Sequence, residues 1–375
     1  MKETAKIKIT PMKALIGIIG VCIGIIAIYI LYVLLSYSRI EDNQALEIYN
    51  KGTVKEEELS LNTDYTAVTY NIGFGAYSWD YSFFMDGGKH ARGFNKQAIL
   101  DNTYGSIQLM KEQQADFLFL QEVDIKATRS YHVNQEQMIQ EAFFDVSYAF
   151  AINYDSAYLF YPILEPHGKS KAGIQTISDY KLTEGIRRSF PIDTSFYKFM
   201  DLDRCYSKTR AKVEEGKELV LYNVHLSAYT KDETIVRNQV MMLSEDMKEE
   251  YEKGNYILCG GDFNQDLLGN SPEIFKTPES EENWAKPFPA SLLPKGIKVA
   301  FELLDKEARW QLSPSCRNAD SPYEKNVSFV TMVDGFLVSD NMKLVDIQTV
   351  DNGFLYSDHN PVKITFQLGS NTMTK

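Results

Sequence analysis

Residues 14–37 read ALIGIIGVCIGIIAIYILYVLLSY, a run without a single charge. It exceeds the roughly 20 apolar residues that carry a helix across a bilayer. No polar stripe interrupts it, as the outer face of a buried core helix would require. The pattern therefore predicts a transmembrane helix. Tyr29, Tyr32 and Tyr37 stand toward one end, where aromatic rings are favoured at the water interface. A cleaved leader would show a shorter apolar region and a small-x-small exit. Ser36, Tyr37, Ser38 and Arg39 follow instead, so the anchor is expected to stay. Residues 38–63 lose apolar periodicity and read as a polar tether.

From residue 64 onward, short runs rich in β-branched and aromatic residues alternate with longer helical stretches. Strands are expected at 65–71, 117–121, 172–177, 218–225, 256–260, 328–338 and 362–368, with helices at 93–114 and 232–253. In the second helix Ile235, Val236, Gln239, Met242, Leu243 and Met247 keep helical spacing, and Gly254 ends it. Residues 266–300, rich in Pro, Ser and Glu, read as a surface excursion. The alternation predicts one α/β or α+β domain over 64–369, followed by a tail at 370–375. A domain this large suits two packed sheets with helices outside.

Charge adds a direction. The chain holds 39 Lys and Arg against 51 Asp and Glu, a net −12. Lys2, Lys6, Lys8 and Lys13 against Glu3 place +3 on the stub 1–13, which leaves −15 on the remainder. Basic residues before the apolar run and Glu41, Asp42 and Glu47 after it put the N-terminus in the cytoplasm. The expected product is a single-pass protein of the cell membrane with its domain extracytoplasmic. The acidic balance argues against a bulk nucleic-acid binder, which needs excess Lys and Arg. It leaves room for an enzyme that meets phosphate through metal ions. Four cysteines, Cys22, Cys205, Cys259 and Cys316, without a C-x-x-C pair exclude a disulfide scaffold or a zinc ribbon.

Candidate chemistry gathers where apolar strands end. The first strand ends at Tyr70-Asn71, the second at Gln121-Glu122, and later ones at His225 and at Asp262-Phe263-Asn264. Asp334 follows Val333, and Ser357-Asp358-His359-Asn360 precedes the last strand. Acid, amide and imidazole groups at strand termini converge on one edge of a sheet, where loops form a cleft. Alone, an Asp or Asn here reads as a turn former or a cap, a His as a satisfied surface or core residue, and Gln121-Glu122 as a first solvated turn. Their coincidence carries the argument, because two of only five histidines fall in the set. A carboxylate beside an apolar strand needs a partner, and a hard divalent cation supplies one.

In this order, Thr69-Tyr70-Asn71-Ile72, Leu120-Gln121-Glu122-Val123, Asn223-Val224-His225-Leu226, Gly260-Gly261-Asp262-Phe263-Asn264, Val333-Asp334-Gly335-Phe336 and Ser357-Asp358-His359-Asn360-Pro361 resemble the motifs of the endonuclease/exonuclease/phosphatase superfamily. The resemblance covers about residues 64–369. It implies a four-layered sandwich of two mostly antiparallel sheets flanked by helices, and Mg²⁺-dependent hydrolysis of phosphate esters, with Mn²⁺ as a substitute. Carried over by motif, Glu122, Asn71 and Asp358 are expected at the metal, with Asn71 and Arg204 on the substrate. His225, Asp262, Asn264, Asp334 and His359 are expected in catalysis, and either Asp262 or His359 can be the base.

Two positions depart from the pattern: Gly335 replaces the usual tyrosine, and Asn360 the more frequent aromatic. Gln265 replaces the arginine expected of an inositol phosphatase. The implied substrates are a nucleic acid, a phospholipid or a small phosphodiester. No aromatic hairpin stands out as a membrane-contact loop. Arg129, Tyr131, Arg187, Arg188, Lys208 and Arg210 are candidate nucleic-acid contacts, though solvated surface is the commoner role for such residues. The rival reading is a catalytically silent binding or scaffold domain on the same fold. Nothing in the sequence indicates an oligomeric state.

Overall fold

The computed structural model describes residues 10–37, 39–199, 202–228, 233–277 and 284–369. Residues 1–9 of the stub and the tail 370–375 lie outside the described residues. The apolar run forms one helix, α1 (Pro11–Ser36), with Pro11 in its first turn and the Thr10 hydroxyl accepting from the Lys13 amide at 3.4 Å. It is long and apolar enough to cross a membrane, and most of its surface is uncovered by the rest of the chain.

The remainder builds two seven-stranded, mostly antiparallel sheets. The first runs, in spatial order, β15 (Met342–Thr349), β16 (Val362–Leu368), β3 (Asp64–Asn71), β4 (Phe117–Asp124), β6 (Lys171–Ser178), β5 (Val146–Asp155) and β2 (Tyr49–Lys51). The second runs β1 (Gln44–Ala45), β7 (Leu182–Ser189), β8 (Cys205–Val213), β9 (Lys217–His225), β10 (Tyr256–Asp262), β14 (Asp334–Ser339) and β11 (Ile297–Val299). A small ribbon pairs β12 (Cys316–Arg317) with β13 (Val330–Thr331). Among the described strands of these two sheets, only β3/β4 and β9/β10 are parallel neighbours. These two pairs sit near the middle of their sheets.

The inner faces meet in one large core, where Phe119 of β4 packs edge-on against Phe336 of β14 at 6.1 Å. Helix α2 (Lys96–Glu112) places Ile107 and Met110 on Val68, Tyr70 and Leu118, so it covers the outer face of the first sheet beside α3 (Gln135–Ala142). Asn95 caps α2 by accepting from the Ala98 amide, which explains why the helix starts later than its apolar pattern. Helix α4 (Glu233–Glu252) lays Val236, Val240, Leu243 and Met247 on the second sheet. The result is the expected sandwich of helix, sheet, sheet and helix.

Three differences from the sequence reading have physical causes. The expected strand 328–338 breaks into β13 and β14, because the carbonyls of Met332 and Val333 accept from Leu267 and Phe263 in the loop after β10. Strands β7 and β8 carry Arg187, Arg188, Lys208 and Arg210, charges that mask their strand pattern until their partners are known. Part of the polar segment 38–63 also lies along the domain. Its β1 pairs with β7 and its β2 with β5, closing one edge of each sheet.

Candidate active site

Neighbouring strands of the second sheet end side by side. His225, Asp262 and Asp334 occupy one register row, Asp262 opposite His225 on β9 and opposite Asp334 on β14. Gly261 makes this possible: a Cβ there would stand 2.1 Å from the Val224 carbonyl oxygen. The facing sheet contributes the ends of β3 and β4. Asn71 donates to Asp262 Oδ2 at 3.0 Å and to Glu122 Oε1 at 3.4 Å, joining the two sheets at the site. Glu122 lies on a bulge of β4 with a left-handed φ of 54°, an uncommon conformation for a side-chain-bearing residue. Beneath these groups, Gln121 Nε2 donates to Asn223 Oδ1 at 2.8 Å and ties the sheets a second time.

The segment before β16 closes the site. Ser357 Oγ donates to the Asn71 carbonyl at 2.8 Å, and His359 Nδ1 donates to Asp334 Oδ2 at 2.7 Å. His359 Nε2 points to the interior of the site, 3.9 Å from Asp262 Oδ2 and 4.0 Å from Asp358 Oδ1. His225 Nε2 is 3.5 Å from the same Asp262 oxygen. Asn264 donates to the Leu226 carbonyl, and its amide donates to Asp262 Oδ1 at 2.9 Å, which holds the carboxylate in place. All eight residues expected at the metal or in catalysis therefore meet in one place. Arg204 is buried near enough to His225 for its charge to act on the imidazole.

Electrostatics separates the two histidines. Burial holds His225 well below its ordinary pKa, and the positive charges of Arg204, His359 and Arg129 add to the effect. Burial also opposes the charged form of His359, but the Asp334 carboxylate beside it, with further anionic groups around it, lifts its pKa well above the usual value. Asp262 is pushed up to about 6, chiefly by burial. The pKa of Asp358 is raised by burial and further by the charge of Glu122.

Asp262, Asp334 and His359 each offer a ligand atom within 4.8 Å of the others, close enough to hold a metal ion. Glu122, by contrast, accepts from Asn71 and is in no close ion pair among the described residues. A half-exposed carboxylate that feels the Arg129 charge but makes no close ion pair among the described residues, next to the raised Asp358, is chemically suited to a divalent ion.

Several contributing residues left no signal in the sequence. Ser315 Oγ accepts from the amides of both Val333 and Asp334 at 3.0 Å and sets the start of β14. Cys316 Sγ stands 3.6 Å from His359 Nε2. The two departures also have structural reasons. A Cβ on Gly335 would meet Phe301 at 2.7 Å and Leu267 at 2.8 Å, so those side chains fill the space a larger residue would need. Asn360 is buried, where it accepts from the amides of Asn352 and Phe354 and donates to the Pro314 carbonyl.

The basic candidates for nucleic-acid contact are committed to internal partners. Arg129 pairs with Asp124 at 2.8 Å and stacks 3.9 Å over Phe74. Arg187 donates to the carbonyls of Ile152 and Asp203. Arg188 and Lys208 both reach Asp246, and Arg210 takes Glu250, Glu184 and Glu218. Tyr131 donates to the Phe94 carbonyl.

No family model matches this chain, and no curated protein matches it. Solved structures do. An endonuclease/exonuclease/phosphatase from Beutenbergia cavernae aligns with TM-score 0.54 and 14% identity, covering 82% of this chain and 72% of that one. An endonuclease/exonuclease/phosphatase family protein from Leptotrichia buccalis gives TM-score 0.52 and 13% identity over 81% and 100%. TDP2 from D. rerio, complexed with a single-strand DNA product, gives 0.51 and 15% over 82% and 100%. The chain has the endonuclease/exonuclease/phosphatase fold. Its polar cluster stands at the strand ends of that fold's paired sheets.

Proposed function

We propose that this chain is a membrane-anchored, metal-dependent hydrolase of phosphate diesters, with its domain on the extracytoplasmic side. The observation that carries the reading is the convergence of His225, Asp262, Asp334 and His359 with Asn71 and Glu122 at one edge of the two sheets. Two solved structures of the same fold carry the family name endonuclease/exonuclease/phosphatase, which supports hydrolysis of a phosphoester over a silent scaffold.

Glu122, Asn71 and Asp358 would hold a Mg²⁺ ion, which supplies positive charge to a phosphoryl oxygen. The chain's own groups do the rest. Asp262, fixed by the Asn264 amide, orients an attacking water and accepts its proton. His225, kept neutral by burial, donates one N–H toward a phosphoryl oxygen as negative charge builds there. His359, charged beside Asp334, places a second donor on the same group. As the water oxygen bonds to phosphorus, the ester P–O bond breaks and the leaving oxygen takes a proton from solvent. Asn264 and Arg204 flank the substrate.

A long polyanion fits less well than a single scissile phosphate, since the basic candidates are neutralised within the fold and the exported part carries −15. The test is hydrolysis of bis-p-nitrophenyl phosphate, sphingomyelin, phosphoinositides, DNA and RNA by the full chain with Mg²⁺ and with EDTA. Activity that needs the metal and disappears in Asp262→Asn and His359→Ala is expected. Undiminished turnover in either folded variant would overturn the assignment.

A further inference from the structure

The connection between β5 and β6 contains Tyr158, Leu159, Phe160, Tyr161, Pro162, Ile163 and Leu164, seven successive residues without a charge. At its tip Ile163 is 84% exposed and Leu164 fully so, and Tyr161 is 69% exposed. A soluble domain rarely leaves so many large apolar side chains together in water without a use for them. The loop is nevertheless held firmly. Leu159 and Gly168 exchange backbone hydrogen bonds, Arg92 Nε donates to the Pro166 carbonyl at 2.6 Å, and His167 Nδ1 bonds the Ala91 carbonyl at 2.9 Å. Glu165, the first charge beyond the tip, accepts from the Ala91 amide at 3.0 Å.

The loop also touches α1. Tyr29 donates to the Tyr158 carbonyl at 3.0 Å, Tyr32 accepts from the Tyr158 amide at 3.2 Å, and the Tyr29 and Phe160 rings meet edge-on at 5.1 Å. These contacts set a depth. Counted from Ala14, the ~20 residues that cross the hydrocarbon end near Val33. Tyr29 then lies about 6 Å inside that boundary at the helical rise per residue. Whatever is seated against Tyr29 reaches the same level, which is the depth at which interfacial apolar elements sit.

We infer that residues 158–164 form a docking loop that inserts into the membrane spanned by α1 and holds the domain against the lipid surface. The inference rests on the membrane-anchor reading of α1. Continuity with the helix selects lipid as the occupant, since Tyr158 and Phe160 lie against Tyr29 and Tyr32 and the uncharged run leads from them to the exposed tip. A file of rings connects this loop with the site: Tyr161 to Phe84 at 5.7 Å, Phe84 to Phe83 at 4.9 Å, Phe83 to Tyr77 at 5.4 Å and Tyr77 to Phe74 at 5.2 Å. Phe74 lies three residues past Asn71. Docking therefore fixes the site's position relative to the lipid headgroups.

The test reconstitutes the full chain and its Leu164→Trp variant in vesicles of phosphatidylcholine, with and without bromine on the acyl chains. Emission from Trp79, Trp284 and Trp310 is subtracted using the unsubstituted chain. The added tryptophan is expected to emit at shorter wavelength and to be quenched by the brominated lipid. Full-chain protein that floats with the vesicles and resists carbonate extraction, yet shows no such quenching, overturns the docking loop and leaves the anchor standing. Failure to float overturns both. Burial of the new tryptophan that appears only as protein concentration rises assigns the loop to a second copy and also overturns the proposal. A second variant, Ile163→Asp added to Leu164→Trp, should float as before and hydrolyse a soluble diester unchanged, while the added tryptophan loses its quenching by the brominated lipid. Unaltered quenching in that variant would count against insertion.

Discussion

His225 and His359 stand within 4 Å of the same Asp262 oxygen and are driven in opposite directions. One is buried with positive charge nearby and stays neutral; the other is buried against carboxylates and stays charged. A pair of identical side chains thereby becomes one neutral donor and one cationic donor facing a single carboxylate. Glu122 makes the complementary case, an acid whose backbone takes an unfavourable conformation to reach the cleft. Its test is metal binding followed by thermal melting. Saturating Mg²⁺ at about a hundred times its Kd should stabilise the native chain by about 2.7 kcal/mol, and Glu122→Ala should lose that response. Loss of the response in Asp334→Asn with retention in Glu122→Ala would move the ion to the Asp262, Asp334 and His359 group.

At the scale of elements, the charges that look exposed in the sequence join helices to sheets. Arg210 on β8 grips Glu250 near the end of α4 through two hydrogen bonds, of 2.8 and 2.7 Å. Burial works against the Glu250 carboxylate, but Arg210, Lys253 and Asn255 outweigh it and lower its pKa to about 2. A carboxylate depressed on folding stabilises fully above its unfolded pKa, here 4.5, and that contribution fades as pH falls toward 2. Urea midpoints of the native chain should therefore fall more steeply between pH 4.5 and pH 2 than those of Glu250→Gln. At neutral pH the variant should be the less stable of the two, because Arg210 keeps its charge and loses its main partner.

For the whole molecule, the apolar helix α1 and the edge strands act together. β1 and β2 follow α1 closely and pair with both sheets, so little slack remains between the helix and the domain. This short connection is what lets Tyr29 and Tyr32 reach the β5–β6 loop. The charge asymmetry predicts the orientation. Protease added outside intact spheroplasts should digest the domain and spare an N-terminal epitope tag, and the opposite pattern would reverse the topology.

Composition and patterning were enough to determine the apolar helix, the strands at 65–71, 117–121, 172–177, 218–225, 256–260 and 362–368, and the acidic and imidazole residues at their ends. Those features are local, since an apolar strand stopped by a polar residue can be read without knowing its neighbours. Tertiary structure decided what those residues face. The pairing of β9 with β10 and of β10 with β14 puts His225, Asp262 and Asp334 in one row, although they are far apart in the chain. It also decided that Arg188, Lys208 and Arg210 serve internal carboxylates, because an ion pair requires two partners and the sequence shows only one at a time. Residues 158–164 show the same limit from the other side. No membrane-contact loop stands out in the sequence there until the fold turns the tip outward beside the helix, because burial belongs to the whole packed chain and to no segment alone.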